Sequence, residues 1–379
     1  MRVISVVGAR PNFVKIASLV RSLRARPEVE HLLVHTGQHY DESMSELFFE
    51  ELDIPRPDIN LGVGSGTQAA QTGEILKRFE PLVVEKRPSV VLVVGDVNST
   101  LACALAAKKV GVDVAHVEAG LRSFDRTMPE EINRVLTDAI ADFLFTTEPS
   151  AARNLRREGI PRQKIFFVGN VMIDTLLLHR EGAEKSAIRT RLGLDSPSSR
   201  YALVTLHRPS NVDDADNLKS LLKTLERLAR QVRVVFPIHP RTRSRIEEAG
   251  LAPSLKSERL LALGPLAYLD FLNLMSHATL VITDSGGIQE ETTVLGVPCL
   301  TVRANTERPV TIERGTNQLV GGDPQKLLQA ATAILKTGPR PHAIPRLWDG
   351  RAAERTVRVL IQRYGAQASR RSARARAAP

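Results

Sequence analysis

The stretch Thr283-Asp284-Ser285-Gly286-Gly287-Ile288-Gln289-Glu290-Glu291 joins an anion site to acids. It follows the apolar run Leu280-Val281-Ile282, so its small residues fall where a strand turns into a helix. Unpaired backbone N–H groups and the positive helix end then face an anion. Glu290 and Glu291 would repel a bare phosphate, yet they suit ribose hydroxyls one step along a nucleotide, because an ionised carboxylate only accepts hydrogen bonds. An ordinary strand–turn–helix with a glycine pair fits the same residues equally well.

Other polar residues fall just past apolar runs in the first half: Gly8-Ala9-Arg10-Pro11 with Lys15, Gly95-Asp96, and His116-Val117-Glu118. Asp96 alone is as readily a helix N-cap. Glu118 is followed by Ala119-Gly120-Leu121-Arg122 and is either paired with Arg122 or held near Arg10 for function. Pro129-Glu130-Glu131 reads as a helix start, with proline in its first turn and acids favoured by the dipole.

In the second half, Ala202–Leu206 ends in His207-Arg208-Pro209, an imidazole and a guanidinium beside a fixed turn, which suits an anionic substrate. Arg303 and Thr306-Glu307-Arg308-Pro309 follow another run; Arg308 either binds phosphate bidentately or pairs on the surface with Glu307. His239 and Arg241 add to a cationic cleft. Carboxylates, one histidine and a helix-end phosphate site fit proton transfer beside a diphosphate leaving group. The first strand lacks GxGxxG, and GxxxxGK[ST] is absent, so neither NAD binding nor a P-loop is supported.

Positioning these groups falls to short β-branched runs alternating with amphipathic segments, the pattern of parallel sheets with crossover helices, hence an α/β fold. Strands are predicted at Arg2–Val7, His31–His35, Val90–Val94, Val112–Val117, Phe143–Thr146 and Ile165–Val168. The second half repeats them at Tyr201–Leu206, Val232–Ile238, Leu260–Leu263, Thr279–Thr283 and Cys299–Val302. Helices are predicted over Asn12–Arg24 and Thr67–Lys86. The 379 residues divide into a domain over 1–175 carrying acids, a domain over 176–350 carrying the phosphate site, a helix over 351–365 returning to the first, and a disordered tail over 366–379. The charged segment Glu181–Arg200 marks the boundary region. Ligands of two doubly wound domains are expected in a cleft at the strand C-termini.

A formal charge of +10 includes Arg370, Arg371, Arg374 and Arg376 of the tail, leaving 10 − 4 = +6 over the rest. Aromatics make up 4% of the chain and none alternate with basic residues, so base-stacking platforms are absent and nucleic acid is excluded as substrate. No uncharged run could span a bilayer, and Met1–Gly8 reads as a strand rather than a leader, so a cytoplasmic protein without membrane partners is expected. Cys103 and Cys299 lack metal-ligand spacing and read as core residues; neither disulfide nor metal is expected.

Taken in order, Gly8-Ala9-Arg10-Pro11 with Lys15, Gly37-Gln38-His39, Gly95-Asp96, His116 to Arg122, Pro129-Glu130-Glu131 with Asn133-Arg134, His207-Arg208, Thr283–Glu291 and Thr306–Pro309 resemble the non-hydrolysing UDP-N-acetylglucosamine 2-epimerases. The match spans nearly the whole chain except the tail. The resemblance implies two Rossmann-like domains of the GT-B kind, usually a homodimer, interconverting UDP-GlcNAc and UDP-ManNAc without a cofactor or essential metal. It implies anti elimination of UDP to 2-acetamidoglucal, then re-addition. By motif position Asp96, Glu118 and Glu130 would be the acid/base carboxylates, and His207 would assist the leaving phosphate or shuttle a proton. Arg10, Lys15 and the Ser285, Gly286 and Gly287 amides would stabilise the departing diphosphate, Glu291 would hold the ribose and Arg308 the phosphates.

Two departures qualify this. Gln38-His39-Tyr40-Asp41 stands where many bacterial members have Gln-His-Arg, and Pro237–Thr242 also differs, so activation by a second UDP-GlcNAc is expected to be absent or weakened. Pro209-Ser210-Asn211 lacks an acid common there, and some relatives act on 2,3-diacetamido uronic acid sugars. A hydrolysing relative, a glycosyltransferase of the same architecture and a non-catalytic nucleotide-sugar sensor are the other readings.

Overall fold

The computed structural model describes residues 1–38, 49–196 and 198–376, apart from the side chains of Arg10 and of 366–376. The chain forms two compact units, Met1–Thr175 with Arg346–Pro379, and Leu176–Pro345. Each is built on one parallel sheet.

The first sheet comprises β1 (Arg2–Val7), β2 (Glu30–His35), β3 (Ile59–Asn60), β4 (Val90–Val94), β5 (Asp113–Val117), β6 (Phe143–Thr146) and β7 (Ile165–Phe167), in the order β3-β2-β1-β4-β5-β6-β7. The second comprises β8 (Tyr201–Thr205), β9 (Arg233–Pro237), β10 (Leu260–Leu263), β11 (Leu280–Thr283), β12 (Cys299–Thr301) and β13 (Asn317–Leu319), in the order β10-β9-β8-β11-β12-β13. Both follow the doubly wound Rossmann order, as the alternating pattern predicts. β3 and β13, two and three residues long, give no periodicity to read.

Parallel neighbours require crossovers, which helices supply. Central strands are buried on both faces; β4 is Val-Val-Leu-Val-Val, buried throughout. In the first unit Ile4, Val6, Val91, Val93 and Val114 meet Ile75 and Phe79 of the helix Gln68–Lys86 and the small residues Ala102, Cys103 and Ala106 of the helix Asn98–Lys109. In the second, Val204, Phe236, Ile282 and Leu300 meet Leu221, Leu222 and Leu225 of the helix Ala215–Ala229. Cys103 and Cys299 are buried free thiols.

The C-terminal segment is tied into the first unit. Trp348 Nε1 donates to Thr147 O at 2.9 Å, Asp174 accepts the amides of Ala352 and Ala353 at 3.1 and 2.7 Å, and Tyr364 Oη donates to Asp113 Oδ2 at 2.7 Å. The helix Ala352–Arg376 continues through most of the segment predicted to be a disordered tail. Alanine and arginine, which dominate it, are strong helix formers. No described helix is long and apolar enough to cross a membrane.

The order reverses between β1 and β4 in the first sheet and between β8 and β11 in the second. At such switch points the loops after neighbouring strands diverge and leave room for a ligand.

Candidate active site

In the first unit the residues after β1, β4 and β5 converge. Asn12 Nδ2, from the helix Arg10–Arg24, donates to Val94 O at 3.0 Å, and Asn12 Oδ1 accepts the Gly8 and Ala9 amides. The same helix carries Lys15, whose ammonium contacts Glu118 Oε2; both side chains are 6% exposed. Glu118 follows β5 with φ +76°, a region that non-glycine residues rarely enter and that costs on the order of 1–3 kcal/mol. The Glu118 and Ala119 amides donate to Phe145 O at 3.1 and 3.0 Å, which fixes this turn. Gly95 has φ +67°, which favours glycine, and a Cβ there would lie 2.7 Å from Lys15 Nζ and 3.5 Å from Glu118 Oε2, so the turn packs directly against the pair.

Glu118 is therefore not the partner of Arg122. Arg122 pairs with Asp138 at 2.7 Å and bidentately with Glu158 at 2.7 and 2.6 Å. Asp138 also receives His116 Nδ1 at 2.7 Å and the Gly120 amide at 3.0 Å, while His116 Nε2 meets Gly95 O at 2.8 Å. Burial opposes ionisation of Asp138, yet His116 and Arg122 hold its carboxyl below the ordinary range. His116 and Arg122 are thus structural supports beneath the turns that carry Gly95 and Glu118.

Asp96, with a side chain 22% exposed, is ion-paired to Arg134, and its carbonyl accepts Asn133 Nδ2 at 2.9 Å. Arg134 also binds Glu131, whose carboxylate accepts Ser123 N, Ser123 Oγ and Phe124 N at 3.0 Å each. Glu131 is consumed by the fold. Glu130 is half-buried at the start of the helix Pro129–Ile140, and its side chain makes no hydrogen bond or ion pair with another described residue. Gln38 is buried, and its Oε1 accepts Ser99 N and Oγ at 3.0 and 2.7 Å. His39, Tyr40, Asp41 and the Arg10 side chain lie outside the described residues.

In the second unit β8 and β11 are neighbours, which places His207 beside Asp284. His207 Nδ1 lies 3.0 Å from Asp284 Oδ1. Asp284 is fully buried and also accepts the His207 and Arg208 amides and Asn211 Nδ2, at 2.9–3.2 Å. Burial alone would raise its pKa; the His207 ring, the Arg208 N–H and the Asn211 amide outweigh this and bring it down to about 2. The imidazole, 38% exposed, has its Nδ1 committed to Asp284.

The helix Gly286–Leu295 begins after Ser285, whose side chain makes no capping bond, and its first turn holds no acid. A Cβ on Gly286 would collide with Arg308 Nη1 and lie 2.9 Å from both Arg308 Cζ and Glu307 Oε1. The guanidinium thus lies against the helix start. Arg308 is buried, not on the surface: Nε contacts Glu290 Oε1 at 2.9 Å and Nη1 contacts Glu307. Glu291 is buried, and Tyr268 Oη donates to its Oε1 at 3.4 Å. Burial raises the Glu291 carboxyl to about 7 despite that bond.

The first unit thus presents carboxylates suited to proton transfer beside an ammonium, and the second an oriented imidazole and an anion cradle. Sequence reasoning missed Asp284 as the partner of His207, Tyr268 as the partner of Glu291, and the Arg134–Glu131 buttress under Asp96. The first could have been found by aligning β8 and β11 as switch-point neighbours, and the Arg134–Glu131 pair by its i,i+3 spacing on one helix; Tyr268 and Glu291, and Asp96 and Arg134, come from separate elements with no sequence signal joining them.

A sequence-family model described as UDP-N-acetylglucosamine 2-epimerase matches residues 21–361. The UDP-N-acetylglucosamine 2-epimerase of Methanocaldococcus jannaschii is 44% identical over 374 residues, covering 96% of this chain and 100% of the relative. The UDP-2,3-diacetamido-2,3-dideoxy-D-glucuronate 2-epimerase of Pseudomonas aeruginosa is 42% identical over 341 residues, covering 89% of this chain and 93% of the relative. A crystal structure of the M. jannaschii UDP-GlcNAc 2-epimerase in complex with UDP-GlcNAc and UDP superposes with a TM-score of 0.88 at 44% identity, over 96% of this chain and 100% of that one.

Proposed function

Because the chain belongs to the UDP-N-acetylglucosamine 2-epimerase family and is an epimerase, we propose that it interconverts UDP-GlcNAc and UDP-ManNAc without hydrolysing them. The observation that carries this reading is the Lys15–Glu118 pair on a strained, glycine-backed turn, with Asp96 tethered on the adjacent strand end.

The C2 proton is far less acidic than a carboxyl group, so its removal needs the C1–O bond to break in the same process. A carboxylate of the set Asp96, Glu118 and Glu130 takes the proton, the electron pair forms C1=C2, and UDP leaves with the C1–O pair. A proton then returns to C2 from the opposite face as UDP adds back to C1. Lys15 balances the charge of Glu118 and, with Arg10, serves the departing diphosphate. His207, its Nδ1 held by Asp284, presents Nε2 to the leaving phosphate. The Ser285, Gly286 and Gly287 amides and Arg308 bind the diphosphate, and Glu291 the ribose. A cytoplasmic homodimer serving cell-surface polysaccharide synthesis is the setting this activity fits.

Incubation of the purified protein with UDP-GlcNAc, followed by chromatographic separation of products, tests the reading. UDP-ManNAc approaching a constant ratio to UDP-GlcNAc is expected; accumulation of free ManNAc with UDP would make the enzyme a hydrolysing one. The 42% identity to the diacetamido glucuronate epimerase supports a second reading. Turnover of that sugar nucleotide alone would replace the first.

A further inference from the structure

Around Glu307 the second unit gathers three guanidinium groups. Glu307 is buried; its Oε2 accepts Arg303 Nη2 at 2.7 Å, and its Oε1 contacts Arg308 Nη1 and lies 3.8 Å from Arg208 Nη2. Glu290 lies on Arg308 Nε and the buried Asp284 accepts the Arg208 amide, so these guanidinium groups are interleaved with carboxylates in a region of little solvent. Arg303 is 7% exposed, and its Nη1 is buried without a hydrogen-bond partner. An unused buried donor is costly, so Arg303 Nη1 is a group for which the fold leaves a bond still to be made.

We propose that Glu307 holds the Arg308 guanidinium in place of the diphosphate when the site is empty, and that Arg303 is the positioning residue that retains Glu307 when the diphosphate takes Arg308. This rests on the reading of Gly286–Leu295 as the diphosphate site. An anion at that helix start lies beside Arg308, whose guanidinium already rests on Gly286. As Nη1 turns to phosphate, Glu307 loses one of its cations. Without Arg303 it would be left as a buried carboxylate competing for Arg308 and repelling the incoming charge. Arg303 Nη2 on Oε2 prevents this, and its idle Nη1 gives the pair a second bond to form as Glu307 shifts. Arg308 is thereby kept for the ligand.

The test is UDP binding by calorimetry, and KM with kcat for the UDP-sugar, in wild type, R303M, R303K and the double variant R303M/E307Q. R303M is expected to raise the UDP dissociation constant and KM about tenfold, with a smaller effect on kcat. R303K, which keeps the charge but not the planar fork, should lose about threefold. The double variant, lacking the competing carboxylate, should recover to within about threefold of wild type. A double variant as weak as R303M or weaker, or an R303M that binds UDP like wild type, overturns the proposal. If R303M does not fold, R303K against R303K/E307Q decides by the same recovery. A wild-type protein that binds no UDP at all would instead overturn the diphosphate site itself.

Discussion

The ammonium of Lys15 rests against the carboxylate of Glu118, joining the first helix to the end of β5, and Gly95 packs beside the contact, where a Cβ would fall 2.7 Å from Lys15 Nζ. A bland ion pair would not need a glutamate at φ +76°. Backbone strain of that kind persists where the surrounding fold over-determines it, and here the turn is pinned by two amides on Phe145 O. The pair places a carboxylate with little solvent contact directly against an ammonium.

Replacing Glu118 by glutamine keeps the shape and removes the base. Turnover should fall about 10²–10⁴-fold, while UDP affinity stays within about threefold. Steady-state kinetics with calorimetry read both. Retained turnover would remove Glu118 from the chemistry, and equal loss of binding would make the pair structural.

Asp284 orients His207 through Nδ1, so D284N should lower kcat about a hundredfold or more with a smaller change in KM. The same group bears on acid stability. Its folded-state pKa of about 2 lies below its ordinary value of 3.8, so its contribution is present above pH 3.8 and disappears as pH falls towards 2. Acid titration of the fold should show the transition of D284N less dependent on pH in that window than that of wild type.

Glu291 is raised to about 7 from an ordinary 4.5. A carboxylate accepts from ribose hydroxyls on both oxygens, so affinity for UDP-GlcNAc, whose diphosphate does not titrate in this range, should rise from pH 6 to pH 8. In E291Q the profile should be flat. Stability runs the other way: the folded state holds the proton more tightly, so this group's contribution is full below pH 4.5 and is lost as pH rises through about 7. Opposed slopes for binding and stability, both abolished in E291Q, are the signature.

Asp174 accepts the first amides of the last helix at Ala352 and Ala353, while burial pushes its carboxyl up to about 6. D174A should cost about 0.5–2 kcal/mol, the range for a lost N-cap. Hydrogen exchange at Ala352 and Ala353 should accelerate more than exchange in β4. Uniform acceleration would mean that the helix is not separately anchored.

The strands from β1 to β12 were legible wherever β-branched runs are long enough to bury on both faces, and strand-end position alone singled out Asp96, Glu118, His207 and the Ser285–Gly287 turn. Partners were not legible. Glu118 looked nearest to Arg122 along the chain, but Gly120 at φ +82° and the Asp138 carboxylate draw Arg122 beneath the turn, and Lys15 arrives from another element. Arg308 offered two sequence readings, surface pair or phosphate ligand, and the fold gives a buried pair poised on Gly286. Such choices are made by tertiary packing, which spacing does not encode.

Proton NMR of the purified protein with UDP-GlcNAc in D2O tests the central claim most directly. The account predicts that deuterium enters C2 as UDP-ManNAc appears, in a mixture approaching constant composition, and that both processes vanish in E118Q. Epimer appearing with its C2 proton retained, or no change at C2 while UDP still binds, would contradict it.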